Sequence, residues 1–284
     1  MMIKGYGKAA LALTFFNNIE TFQYIFKNKE INMKILAISL SLMILCSLCL
    51  AEETDYYDWK GLKSYAAKDY SASIGYFDTA IKQDPDYIDA WVHKGDAQRA
   101  AKDYNSSLES YNGALQIKND SKSAWSGMIE AYIALNRYQE ASEAAAVITE
   151  IEPKRKENWL KEGNLWQMQG DYERAAEKYD QALELDRNYP DALYRKAVSL
   201  LALENNSGAM SLLDRIIGAD PKHKLAHNAR GLIFEAEGEY AFARAAYENA
   251  SKIDSQWAQP RINNIHSLLG LNMTGEAMRA FVAL

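Results

Sequence analysis

Residues 170–186 read GDYERAAEKYDQALELD and hold six carboxylates in seventeen residues. Such density could serve general acid–base work or a hard cation, both of which need carboxylates converging on one point. His223 and His227 stand four apart, the spacing of two zinc ligands on a helix, but the intervening Lys-Leu-Ala offers no glutamate to act as base. Cys46 and Cys49 have redox or metal C-x-x-C spacing. His93 and His266 are solitary, and the sequence has no phosphate-cradling glycine loop, nucleophile elbow or calcium loop. Each candidate also has a plainer reading. The acids of 170–186 alternate with Arg174 and Lys178, the pattern of a solvated helix face. The cysteines lie in an uncharged run, where a thiol behaves as a small apolar filler. No catalytic residue, metal site or cofactor is expected, and the chain reads as a non-enzyme.

The elements that carry these groups should be helices. Gly and Pro number only 15 and 5 in 284 residues, while Ala, Leu, Glu and Tyr abound, which favours an all-α chain. The 32 basic and 38 acidic residues leave a net charge of -6. The basic residues form no patch or run, so nucleic acid is not an expected partner.

Residues 35–51, ILAISLSLMILCSLCLA, carry no charge, follow Met33-Lys34 and precede Glu52, Glu53 and Asp55. Residues 33–51 therefore read as a signal peptide, cleaved after Ala51, or as an uncleaved membrane anchor. For an anchor, seventeen residues is short against the usual span of about 20. Either way the chain is expected to be exported, either secreted or held at an extracytoplasmic face. Leu45 and Leu48 stand where a lipidated cysteine needs a small residue, so a lipoprotein is not expected. Residues 1–32 fit no export signal. They are expected to be a non-structural extension, with translation starting at Met33, and peptides from this region in a mass analysis would refute that.

The chain repeats itself. Trp91, Trp125 and Trp159 are 34 residues apart, as are Asp69-Tyr70 and Asp103-Tyr104, and Pro85, Pro153 and Pro221 are spaced at twice that. The period divides 54–284 into repeats 54–87, 88–121, 122–155, 156–189, 190–223 and 224–257 and a partial 258–284. Period and residue types together resemble the tetratricopeptide repeat family. Its aromatic at position 4, small residue at 8, small residue at 20, aromatic at 24 and small residue at 27 are met in the fourth repeat by Trp159, Gly163, Ala175, Tyr179 and Ala182. The second repeat supplies Trp91, Gly95, Ser107, Tyr111 and Ala114, and the sixth Gly231, Ala243, Tyr247 and Ala250, with His227 at the aromatic position 4. The resemblance implies an α-solenoid, a right-handed superhelix of stacked helix-turn-helix units.

Three departures stand out. Ile129 and Ala145 exchange large for small at positions 8 and 24 of the third repeat. Glu204-Asn205-Asn206 replaces Gly-Asp-Tyr in the fifth, where the softest turn is expected. Phe281 and Leu284 are expected to be partly exposed, as a fraying cap or as a surface for self-association through the C-terminal end.

By the resemblance, helix A of each repeat lines a concave groove through positions 2, 5, 9, 12 and 13. That face would comprise Asp89, Val92, Asp96, Arg99, Glu130, Ile133, Leu160, Asn164, Gln167, Asp191, Tyr194, Asn228, Leu232 and Glu235. Its mixed, partly apolar chemistry suits an extended peptide or a partner helix. The family's carboxylate clamp is not expected, because Leu160 stands where its lysine would be. The chain is thus expected to be a non-catalytic scaffold for protein partners. The alternatives are the substrate-recognition arm, in trans, of an enzyme such as a glycosyltransferase, or a factor for surface machinery tethered to the membrane through 35–51. Asn105, Asn119, Asn205, Asn249 and Asn272 begin Asn-x-Ser/Thr sequons and are candidate glycosylation acceptors in an exported chain.

Overall fold

The computed structural model describes the backbone of residues 29–284 and the side chains of residues 38–42 and 53–284. The expectations for residues 1–28 lie outside the described residues. So do most side chains of the 33–51 segment, although its backbone is helical. The described residues form fourteen helices and no strand. Those at helix A are α1 (Lys29–Ala66), α3 (Ile88–Ala100), α5 (Lys122–Ala134), α7 (Lys156–Gln169), α9 (Pro190–Ala202), α11 (Lys224–Ala236) and α13 (Ala258–Gly270). Those at helix B are α2 (Tyr70–Gln83), α4 (Tyr104–Ile117), α6 (Tyr138–Ile151), α8 (Tyr172–Leu185), α10 (Asn206–Ala219), α12 (Tyr240–Ile253) and α14 (Thr274–Val282). Each helix B begins 34 residues after the previous one. Among the residues whose side chains are described, which leave out 43–52 of α1, no helix is long and apolar enough to cross a membrane.

Two compact bodies divide the chain, Met1–Ala144 and Ala145–Leu284. Within each, consecutive helices pack as helix-turn-helix pairs, and each pair packs on the next: an α-solenoid in both.

The turns repeat with the same period as the helices. Lys68, Lys102, Asn136, Gly170, Glu204, Gly238 and Asn272, spaced 34 apart, all adopt positive φ, between 58 and 82°. At Gly170 the amides of Gly170 and Asp171 return to the carbonyls of Gln167 and Trp166, both at 3.0 Å, closing α7 by the left-handed motif that ends many helices. The next residue then caps helix B: Asp69, Asp103, Asp171 and Asn205 each accept the amide three residues on, at 3.0 to 3.3 Å. The Glu204-Asn205-Asn206 turn thus keeps both the left-handed residue and the cap. What it lacks is glycine, and a side chain at φ 58° carries strain. Glu204→Gly is therefore expected to raise stability by roughly 1 kcal/mol, seen as a higher midpoint in urea.

Helix A has its own lock. The indoles of Trp91, Trp125 and Trp159 donate to the carbonyls six residues back, those of Pro85, Asn119 and Pro153, at 2.8–2.9 Å. His227 does the same in its repeat, with Nε2 2.9 Å from the Pro221 carbonyl.

The core is a set of ring-and-glycine slots. Phe77, Tyr111, Tyr179 and Tyr247, all fully buried, lie against Gly61, Gly95, Gly163 and Gly231 of their own repeats. A Cβ on any of those glycines would fall 2.3 to 2.5 Å from the ring. Position 8 is small because helix A crosses the ring of helix B there, leaving the dense contact that interiors require. Ala197 and Leu213 fill the slot in the fifth repeat, and both are fully buried. In the last repeat Ile265 stands at position 8, so no glycine slot awaits the ring of Phe281, which is 65% exposed beside Val282 and Leu284.

Candidate peptide-binding face

Three buried tyrosines reach past their glycines to positions 9 and 12 of helix A. In the N-terminal body, Tyr111 Oη donates to Asp96 Oδ1 at 2.7 Å and accepts from Arg99 Nε at 3.2 Å. In the C-terminal body, Tyr179 Oη lies 2.9 Å from Asn164 Oδ1 and 3.2 Å from Gln167 Oε1. There too, Tyr247 Oη donates to Glu235 Oε2 at 2.6 Å. Burial pushes all three hydroxyls well above the ordinary phenol range, so they remain protonated donors at physiological pH. The helix A side chains of Asp96, Arg99, Asn164, Gln167 and Glu235 are therefore fixed from behind.

In the N-terminal body, Arg99 is also held by Glu130 at 2.5 Å and by Asp96 at 3.3 Å. It is a shared bridge and not a free cation waiting for a carboxylate. Asp89 is exposed on the first turn of α3, and Ile133 is half-buried. Val92 corrects the expectation. It is 7% exposed and belongs to the core with Tyr111, Ala114 and Met128, so it offers a partner little surface.

His93, one residue from Val92, adds a pair that the sequence did not suggest: its Nδ1 is 2.8 Å from the buried carboxylate of Asp58 on α1. Burial alone would lower the imidazolium's pKa, but the hydrogen bond and charge of Asp58, with Asp89 and Asp96 nearby, outweigh it and the net shift is upward. A folded pKa raised above the unfolded value stabilises fully below the unfolded value, about 6.5. That contribution disappears as pH rises through the folded value. The stability advantage of the wild type over His93→Gln should thus be largest below about pH 6 and shrink toward alkaline pH in paired urea titrations.

In the C-terminal body, Leu160 and Tyr194 are half-buried against the core, the Tyr194 ring lying 5.8 Å from that of His223. Asp191 is exposed on the first turn of α9. Asn228 accepts from Asn263 at 3.1 Å, which in turn accepts from Gln259 at 2.9 Å. Glu235 also has His266 at 3.6 Å. Leu232 is 44% exposed and Met168, at position 13 and absent from the sequence-based set, is 50% exposed. This face mixes apolar side chains and anchored amides with the carboxylates of Asp191 and Glu235.

The other chemistry-bearing candidates disperse. In 170–186, Asp171 caps α8, Asp180 pairs with Lys196 at 2.5 Å, Asp186 pairs with Lys156 at 2.5 Å, and Glu173, Glu177 and Glu184 point to solvent. Nothing converges. His223 Nδ1 accepts the Ala226 amide at 3.1 Å as the cap of α11, and His227 is the indole substitute described above. Each member of the i, i+4 pair thus has its own structural bond. All five sequon asparagines are exposed.

Helix pairs locked every 34 residues, with side chains of helix A held by buried tyrosine hydroxyls, define a helical repeat protein. The chain belongs to the tetratricopeptide repeat family: family profiles described as tetratricopeptide repeat match residues 61–124, 98–161 and 167–233. The fold is similar to that of a tetratricopeptide repeat protein from Parabacteroides merdae, with TM-score 0.61 and 16% identity over 82% of this chain and 92% of that one. It is also similar to YrrB, described as a TPR protein with an unusual peptide-binding site, with TM-score 0.54 and 17% identity over 65% of this chain and 95% of that one. Over 80 residues, 28% of the chain, it is 32% identical to a tetratricopeptide repeat and J domain-containing co-chaperone of Cryptococcus neoformans var. grubii, and this stretch spans 15% of that protein's length.

Proposed function

We propose that the chain is a non-catalytic scaffold that holds a peptide or helix of a protein partner against helix A of its repeats. The observation that carries this is the anchoring of Asp96, Arg99, Asn164, Gln167 and Glu235 by buried tyrosine hydroxyls. In the C-terminal body, the pre-fixed Asn164, Gln167 and Glu235, with Met168 and Leu232 exposed on the same helices A, cost little entropy on binding. The peptide-binding site named for YrrB supports the same reading. The C-terminal body suits an amphipathic or extended segment, since its presented side chains are leucine, methionine, tyrosine and amides together with the carboxylates of Asp191 and Glu235. Partners retained by the wild type should be lost with Tyr194→Ala plus Leu232→Ser and kept with Glu177→Ala on the outer helix B. Equal retention by all three refutes this face.

The scaffold is held at an extracytoplasmic membrane face by the uncharged run 35–51. Supporting this, the run and the first helix A are one continuous helix, and Ile38, Leu40 and Leu42 on it are 55–63% exposed. Full-length chain recovered only in a soluble fraction would refute the tether. Export by a glycosylating cell would make the five exposed sequons acceptors, tested by a mass shift on enzymatic deglycosylation.

A further inference from the structure

Helix α1 displays a surface that later repeats cover. At position 3 of helix A, Ala90, Ala124, Ala192 and Ala226 are fully buried, and at position 10 so are Ala97, Ala131 and Ser199. The first repeat has Tyr56 and Lys63 at those positions. Tyr56 is 48% exposed, Trp59 beside it 55%, and Lys63 is also exposed. At position 7, Lys94, Lys196 and Arg230 each pair with an aspartate of the preceding helix B. Lys60 instead lies 4.5 Å over the Tyr56 ring and 5.4 Å over that of Tyr76. Tyr56 and Trp59 stack at 6.3 Å, with Lys63 Nζ 5.4 Å over the indole. A tyrosine where the second, third, fifth and sixth repeats use a fully buried alanine blocks another helix from seating in the register of those repeats. This face is built for something other than a further repeat.

The covering chemistry follows from what the same helix carries. Backbone helix is continuous from Lys29 through the uncharged run into Tyr56 and Trp59. At a rise of about 1.5 Å per residue, Tyr56 and Trp59 stand roughly 20 and 24 Å from the middle of 35–51. A bilayer leaflet with its headgroups is about 20–22 Å deep. Tyrosine and tryptophan favour that boundary, with an apolar body and a polar tip, and lysines there meet lipid phosphates. A span as short as seventeen residues is accommodated by flanking side chains that reach to the headgroups.

We propose that Tyr56, Trp59, Lys60 and Lys63 form a collar seated on the lipid headgroup layer, fixing the first repeat against the bilayer. This rests on the reading of 35–51 as a retained anchor. The full chain, reconstituted with phosphatidylcholine vesicles with and without phosphatidylglycerol, tests it by tryptophan quenching from lipids brominated near the headgroup end. Quenching of part of the fluorescence is expected, lost in Trp59→Phe, while Trp91, Trp125, Trp159, Trp166 and Trp257 remain unquenched. Lys60→Glu with Lys63→Glu should reduce the quenched fraction most on phosphatidylglycerol. Unchanged thermal melts would show that neither variant unfolds the repeat. A chain that floats with the vesicles but is unquenched, or is quenched equally with Trp59→Phe, overturns the collar alone. A chain that fails to float overturns anchor and collar together.

Discussion

Tyr179→Ala is expected to cost roughly 3–5 kcal/mol of stability, the range for removing a fully buried aromatic, read as a lowered urea midpoint. The ring is 0% exposed and lies against Gly163, with Ala175 and Ala182 also fully buried on α8, so nothing adjacent can fill the void. Stability in such arrays is a sum over neighbouring repeats. The loss should therefore appear first as faster amide exchange in α7 and α8. Tyr179→Phe separates two roles of the same side chain. It keeps the ring and should cost only about 1 kcal/mol. It also releases Asn164 and Gln167, which lose their shared hydroxyl. If the hydroxyl pre-sets the face, Tyr179→Phe weakens partner binding well out of proportion to its effect on the melt. Equal binding by the two proteins would show that the anchoring is incidental.

The repeat length, the helix boundaries' rhythm and the glycine–aromatic pairing were legible because each is a local sequence rule. Gly95 with Tyr111 and Gly163 with Tyr179 recur at fixed spacing, and packing leaves few alternatives. The anchoring has a signal in the sequence too. Polar residues occupy both positions 9 and 12 in the second and fourth repeats, as Asp96 with Arg99 and Asn164 with Gln167, where position 24 is tyrosine. The fifth repeat has Leu213 at 24 and Val198 and Leu201 at 9 and 12. A buried hydroxyl must find an acceptor, and that correlation was the available signal. Burial of Val92 was not legible from position alone, because how far position 5 turns inward depends on what Tyr111 and Met128 leave open. At Gly170 and Gly238 glycine advertises the left-handed turn. At Lys68, Lys102 and Glu204 the same geometry is imposed on residues that advertise nothing. His93 gave no sign of its partner because Asp58 lies 35 residues away, on another repeat.

Gly163→Ile should by itself destabilise by roughly 3 kcal/mol or more, since overpacking a filled slot forces backbone to move. Even a bare Cβ would lie 2.5 Å from Tyr179 Cε1 and 2.8 Å from Cδ1. The chain suggests its own remedy. In the third repeat Ile129 occupies position 8 and is fully buried, while Ala145 occupies position 24 and is 3% exposed. Large and small have changed places in the sequence, and each residue is buried within its own body. Gly163→Ile combined with Tyr179→Ala should therefore be less damaging than the two single changes added together, by roughly 2 kcal/mol, a coupling of the size found between side chains in direct contact. Full recovery is not expected, because isoleucine is smaller than the tyrosine ring and leaves the hydroxyl's acceptors unpaired. Four proteins measured in one urea series decide the matter. Additive losses would mean that the glycine is retained for some reason other than the ring. The ring opposite position 8 would then not be what keeps glycine there in the second, fourth and sixth repeats.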